Sequence, residues 1–282
     1  MVSRTVQIEA TGAASEAVVD PLKVEQLEVT YNHVAVAIQG VSVGVPEGGI
    51  GVILGSNGAG KTTTLRAITG FMPSENAAIT DGNVFFHGKS IKGMLPHQTV
   101  ALGIALIPER DKIFATLTVA ENLRMIRTPR RADRAAIMNS ILELFPVLAS
   151  RQHQIAGYLS GGEQQMLAIA QALLLSPRLL LVDEISLGLS PLLVTRTMGI
   201  LESINQTYGT SILLVEQNAF AALAIADYAY VMENGQVVFA GTPEELMQHE
   251  DIREFYLGLG SDASVKSFAD VKQYKRKRRW WG

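Results

Sequence analysis

The sequence predicts an α/β fold built around a parallel central sheet. Three observations carry that prediction. The segments "GGIGVILG", "RLLLVD" and "SILLVE" are short, continuously apolar runs that stop at a charge or a turn, as strands covered on both faces do. Helical stretches separate them, which is the alternation that parallel sheets require. A third region, from Leu22 to Val45, instead alternates apolar with polar residues, the period-2 mark of half-buried antiparallel strands.

Taken in order, residues 1–20 are rich in Ala, Ser, Thr and Gly and are expected to form a flexible N-terminal segment. "KVEQLEVTY" and "VSVGV" supply the alternating strands, and "GGIGVILG" the first covered one. Turn signals at Asp81–Gly82 and His87–Gly88 bracket "NVFF" as another short strand. From Val119 to about Gln154 the pattern is helical and rich in Ala, Leu, Met and Arg. "SGGEQQMLAIAQALLL" reads as a helix that begins after its glycine pair and ends at Pro177. "RLLLVD" and "SILLVE" follow, separated by a helical stretch from about Pro191 to Thr207. "QVVFA", between Gly235 and Gly241, completes a hairpin.

With 282 residues, 48% hydrophobic and 18% charged, the chain has the composition of a globular protein with a substantial core. No apolar run approaches the roughly 20 residues that span a bilayer. The first twenty residues include one Arg and two Glu and no continuous apolar segment, unlike a secretion signal. The absence of Cys excludes disulfides and thiolate metal sites and suits a cytoplasmic protein. These features read as a soluble, intracellular chain. The net charge of −3 hides an asymmetry: residues 265–282 hold seven Lys or Arg and one Asp, net +6, which leaves −9 for the remainder.

Between the strand "GVIL" and the helix "TTTLRAIT" lies "GSNGAGKTT", Gly55 to Thr63. Gly55, Gly60, Lys61 and Thr62 satisfy the phosphate-binding spacing G-x-x-x-x-G-K-[ST] in its strand-to-helix setting. Backbone N–H groups from Gly55, Ser56, Asn57, Gly58, Ala59, Gly60 and on to Thr63 can wrap phosphate oxygens, helped by the positive end of the helix. Lys61 is expected on the β- and γ-phosphates and Thr62 on Mg²⁺. This is an ATP or GTP site. "RLLLVDEISLGL" places Asp183 and Glu184 at a strand end. Successive strand residues point apart, so the two carboxylates take separate roles: Asp183 toward Mg²⁺, Glu184 toward the attacking water. "LSGGEQQ" adds Ser160 as an N-cap, then Gly161 and Gly162 at a second helix start, which is a second place for an anion.

The order phosphate loop, "LSGGEQQ", strand ending in Asp-Glu resembles the ATPase subunit of ABC transporters, and within them the subunits of branched-chain amino acid importers. The resemblance covers roughly Leu22 to Gly258. It implies a P-loop NTPase fold with a mixed central sheet, an antiparallel β-subdomain and an inserted helical subdomain at about 110–176. On this reading residues 21–260 are the ATPase domain and 261–282 a basic, aromatic C-terminal tail. It implies ATP and Mg²⁺ as ligands, and a second ATPase subunit, of the same or a different chain, whose Ser160, Gly161, Gly162 and Glu163 cover the nucleotide in trans. It further implies transmembrane permease subunits, a solute-binding protein beyond them, and a peripheral place on the cytoplasmic side of the inner membrane.

Other positions carry over singly. Tyr31 falls where the family stacks an aromatic on adenine, or is an ordinary strand Tyr. Glu109 takes the place of the family's loop Gln near Mg²⁺ and water, or is a solvated loop acid. Gln217, in "LLVEQN", takes the place of the switch His that contacts the γ-phosphate. A Gln amide can donate that hydrogen bond but cannot become cationic; alternatively it caps the next helix. "VEQN" together with Glu109 matches the branched-chain importer branch. Ile185 replaces the family's Pro, and Ser190 the Asp associated with cross-talk between subunits. Arg124, Arg127, Arg130, Arg131 and Arg134 form a solvated face of the helical subdomain or part of its working surface. A groove near Glu109 to Phe114 corresponds to the permease-docking site. For the tail, "KRKRRWW" suits an anionic membrane surface, self-docking on the acidic body, or nonspecific nucleic-acid contact.

Four functions compete. An importer ATPase fits all the motifs. A lipid or polysaccharide exporter ATPase is the nearest rival, and "VEQN" favours the importer. A non-transport ABC ATPase acting on nucleic acid fits poorly, because the chain has one phosphate loop, no long heptads and no Cys; no nucleic-acid partner is expected. A nucleotide sensor without turnover is disfavoured by Glu184. The solute itself is not written in this chain.

Overall fold

In the computed structural model, residues 20–110, 112–128 and 134–249 are described. All but the last residue of the expected N-terminal segment, the C-terminal tail, and Arg130 and Arg131 lie outside them. Two sheets organise the fold. The first is antiparallel, ordered β2–β1–β4–β5, from β1 (Leu22–Tyr31), β2 (Ala35–Val45), β4 (Ala77–Phe86) and β5 (Lys89–Ser90). The second is ordered β10–β9–β3–β8–β7–β6, from β3 (Ile50–Gly55), β6 (Ile104–Ile107), β7 (Leu179–Asp183), β8 (Ser211–Glu216), β9 (Tyr228–Glu233) and β10 (Gln236–Gly241). Its strands are parallel except β10, which returns antiparallel on β9 through Asn234–Gly235. This is the mixed central sheet and antiparallel β-subdomain that the resemblance implied.

The continuous apolar strands are explained by what covers them. Every residue of β3, β7 and β8 is buried. Val52, Leu54, Leu180, Val182, Ile212 and Leu214 pack into one core, while Ile53, Leu179, Leu181, Leu213 and Val215 pack into the other. Alternate residues thus serve opposite faces, and both faces are dry. The second core joins the central sheet to the antiparallel one and to helix α1 (Lys61–Thr69).

Several local expectations are corrected. "NVFF" is the end of the longer strand β4, because Asp81–Gly82 forms an irregularity inside it, opposite the register shift between Glu25 and Glu28. The region from Val119 to Gln154 is broken into α3 (Val119–Met125), α4 (Arg134–Leu144) and α5 (Pro146–Ser150). The break before α5 falls at Pro146, which cannot continue α4. Arg134 is only part-buried and donates to the carbonyls of Leu123, Arg124 and Ile126, closing the end of α3. The solvated-face reading therefore fails for this arginine, whereas Arg124 and Arg127 are exposed. Helix α6 (Gly161–Leu173) starts at the glycine pair rather than after it. Helices α2 (Pro96–Ala101), α7 (Pro191–Tyr208), α8 (Ala219–Leu223) and α9 (Pro243–Gln248) complete the described α-helices. No helix among the described residues is long and apolar enough to cross a membrane.

Candidate nucleotide site

Residues just beyond the C-terminal ends of β3, β6, β7 and β9 converge on one cleft of about 590 Å³, as ligand sites do in sheets of this class. Asn57, Gly58, Gly60, Lys61, Thr62, Thr63, Glu109 and Glu184 line it. Gly60 holds a left-handed φ of 101°, and a Cβ there would sit 2.5 Å from Ile38. No side chain caps α1, so its first N–H groups face the cleft, where an anion can take them.

Lys61 is 3% exposed and is held by three oxygens: Gly55 O at 2.8 Å, Ser56 O at 3.0 Å and Glu184 Oε1 at 2.9 Å. A buried ammonium so surrounded is paid for by its partners, and a phosphate can replace the carboxylate among them. The hydroxyl of Thr62 donates to Asp183 Oδ1 at 3.0 Å. Burial pushes the Asp183 carboxyl up to about 6, against the Thr62 hydrogen bond and with help from the nearby Glu184 and Glu109 charges. Glu184 stands at φ 44°, in the left-handed region, which turns its side chain off the strand and toward Lys61. The two acids thus have different partners, Thr62 and Lys61, through this turn rather than through the alternation of a strand.

Among the described residues, no three His, Cys, Asp or Glu side chains gather as a metal cage. The Thr62–Asp183 oxygen pair nevertheless fits Mg²⁺, which takes one or two protein oxygens and completes its shell with water and substrate phosphates. Glu109 lines the same cleft and pairs with Arg110 at 3.1 Å.

The signature residues do not join this cleft. The Ser160 hydroxyl accepts from Glu163 N at 3.4 Å, and the Glu163 carboxylate accepts from Ser160 N at 2.9 Å while pairing with Arg151 at 3.1 Å. Gly161 borders a neighbouring cleft with Gln164, Gln165 and Leu187 to Leu189. Within one chain, therefore, the second glycine-rich helix start lies outside the phosphate-loop cleft, at a neighbouring one that shares Glu109, Arg110 and Leu187 with it.

One residue lies beside the cleft without lining it, and one alternative falls to the geometry. Tyr31 does not line the cleft; its hydroxyl lies 3.4 Å from Thr63 Oγ1 and 3.3 Å from Glu75 Oε2. Val36 and Ala37, on the next strand, are the residues that this sheet presents to the cleft. The capping alternative for Gln217 fails, because Asn218 caps α8 through a bond from Ala221 N at 3.2 Å, and Gln217 is left exposed at the end of β8. Ser190 is the N-cap residue of α7 but makes no side-chain cap.

Sequence reasoning missed Asn234, which reaches the cleft because Gly235 N bonds Ala59 O at 3.1 Å and ties the β9–β10 turn to the phosphate loop. The Asn-Gly turn was legible; its contact with the loop is tertiary.

The family model for the ABC transporter matches residues 38–186, so the chain belongs to the ATP-binding subunits of the ABC transporter family and is an ATPase of that class. Its relatives narrow the class. The chain is 42% identical over 230 residues, 81% of its length and 96% of theirs, to BraG of Pseudomonas aeruginosa, a high-affinity branched-chain amino acid transport ATP-binding protein. It is 35% identical, over 84% of its length and 99% of the relative, to LivF of Archaeoglobus fulgidus, also named for branched-chain amino acid transport. A solved ATP-binding cassette of an ABC transporter in its ADP conformation superposes with a TM-score of 0.72 at 26% identity, over 85% of this chain and 99% of that one.

Proposed function

We propose that this chain is the ATP-hydrolysing subunit of an importer for branched-chain or related amino acids, working at the cytoplasmic face of the inner membrane through separate permease subunits. The reading rests on the relatives, on "VEQN" with Glu109, and on one observation above all: a phosphate loop and its acids gathered at a cleft that the chain's own signature residues do not line. Such a site works only when another subunit brings Ser160, Gly161 and Gly162 to it.

On this reading the N–H groups at the start of α1 and the Lys61 ammonium take the β- and γ-phosphates of ATP. Phosphate competes with Glu184 for Lys61, and Glu184, once released, accepts the proton of the attacking water. Thr62 and Asp183 would hold Mg²⁺, with Glu109 reaching it directly or through water; the ion supplies charge neutralisation at the phosphates. Gln217 donates a neutral hydrogen bond toward the γ-phosphate. The domain is taken to run over 21–260 with its helical subdomain at about 110–176.

The chain has no Cys, so a Ser56→Cys, Ser160→Cys variant reports pairing cleanly. ATP-dependent cross-linking between chains supports the sandwich, and none with any candidate mate removes it. Uptake of labelled leucine, isoleucine or valine by cells carrying the chain with its permeases tests the solute. Hydrolysis without such uptake, coupled instead to a lipid, would favour the exporter.

A further inference from the structure

Just beyond Glu184, the structure holds a buried polar assembly that the reaction as described does not use. Glu216, the last residue of β8, is 1% exposed. Its two oxygens accept from a single residue: Oε1 from Ser186 N at 2.9 Å and Oε2 from the Ser186 hydroxyl at 2.6 Å. Gln165, in the signature helix, donates to Ile185 O at 2.7 Å and accepts from Lys112 Nζ at 2.8 Å. The backbone N–H of Glu184 itself donates to Val215 O at 2.9 Å, again at the end of β8. Residues 184, 185 and 186 are thus each fixed from outside the turn.

That convergence has a reason in the backbone. Glu184 has a φ of 44°, which a non-glycine residue keeps only where its surroundings enforce it. Burying a carboxylate is costly, and burial does push Glu216 upward against the Ser186 bonds that pull it down. An apolar residue would fill the space at lower cost, but it would leave the Ser186 donors unanswered.

We propose that Glu216 is a positioning residue for hydrolysis: through Ser186 it holds the turn that aims Glu184 into the cleft, with Gln165 steadying the same turn from the signature helix. This rests on Glu184 being the base that activates water. Gln217 directly follows Glu216, so a pull on Gln217 by the γ-phosphate reaches Glu184 through Glu216, its two hydrogen bonds to Ser186, and Ile185.

The test is steady-state hydrolysis, nucleotide affinity and thermal melting for the full chain in its assembled transporter. Glu216→Ala is expected to lower kcat about tenfold or more and Ser186→Ala by less, each with KM for ATP nearly unchanged. The double variant should be no slower than Glu216→Ala alone. Glu216→Gln should retain most of kcat, since its carbonyl accepts from Ser186 N and its amide donates to the hydroxyl. A Glu216→Gln enzyme as slow as Glu216→Ala overturns the proposal, because charge or proton transfer would then be at work. If Glu216→Ala does not fold, Ser186→Ala decides, and an undiminished kcat there also overturns it. Glu184→Gln separates the two readings: full hydrolysis in that variant removes the base assignment, whereas its inactivity alongside unaffected Ser186→Ala and Glu216→Ala removes only the positioning role.

Discussion

Two helices in this chain begin with glycine-rich sequences, and their N-termini are finished in opposite ways. Helix α1 starts at Gly60 with no side-chain cap, so its N–H groups are offered to the cleft, and its Lys61 is buried among oxygens that belong to the site. Helix α6 is capped at Ser160 by a reciprocal Ser160–Glu163 capping box, and its start borders the neighbouring cleft. One N-terminus is left unfinished so that a ligand completes it. The other is stable by itself and uncommitted within its own chain. On the proposed function, the difference separates a site that binds from a surface that is brought to a site.

The comparison breaks most visibly at Glu184. Glu184→Gln should lower hydrolysis at least about a hundredfold, the usual contribution of a general base, while ATP binding by α1 persists. With Mg-ATP the variant should run as a two-chain species in size-exclusion chromatography. A monomeric variant that hydrolyses freely would leave α6 without a role at the nucleotide. Lys61→Ala comes next. It removes the phosphate ligand and strands Glu184 as a buried, unpaired carboxylate, so nucleotide affinity should fall and stability drop by about 3 kcal/mol. Denaturant titration and nucleotide binding measure the two losses separately.

Smaller changes sharpen the contrast. Gln217→Ala should slow turnover about fivefold, the worth of one hydrogen bond, and Gln217→His should preserve it; equal rates in all three would take Gln217 out of the reaction. Ser160→Ala removes the cap of α6, at a cost of about 1 kcal/mol, which lowers the melting temperature about 2–4 °C. It should leave nucleotide binding by the single chain intact while hydrolysis by the pair declines. Weakened binding in the lone chain would mean that α6 serves its own cleft after all.

What the sequence made legible follows the same division. The phosphate loop, the acid pair and the central sheet could be read because each rests on contiguous residues whose spacing is dictated by the chemistry. The sheet's two dry faces write themselves as unbroken apolar runs at β3, β7 and β8. The helical subdomain was harder: Arg134 looked like one more surface charge until the fold brought the end of α3 within its reach. The surroundings of Tyr31 were not legible because spacing gives no side-chain direction: Val36 on the adjoining strand lines the cleft, and Tyr31 lies against Thr63 beside it. The Glu216–Ser186 pair spans thirty residues and joins two strand ends, so no local pattern announces it.

That pair also carries the smallest measurable effect, a pH dependence of stability. Burial raises the Glu216 carboxyl above its ordinary range, Ser186 and the Gln217 N–H oppose the rise, and the Glu184 charge adds to it; Lys112, itself pulled down by burial, feels Glu216 from across the site. A carboxyl raised in the folded state binds its proton more tightly there than in the unfolded chain. Folding stability contributed by this group is therefore greatest at acid pH and is lost as pH climbs from the usual carboxylate value toward the raised one. Asp183, also raised by burial, imposes the same slope and remains in every variant that spares it. The difference between the unaltered chain and Glu216→Gln isolates Glu216. Denaturant midpoints should converge at the acid end of that window, and those of Glu216→Gln should fall less steeply as pH rises. Parallel curves would mean that the carboxyl titrates as an ordinary surface acid, contrary to its burial between β8 and the Glu184 turn.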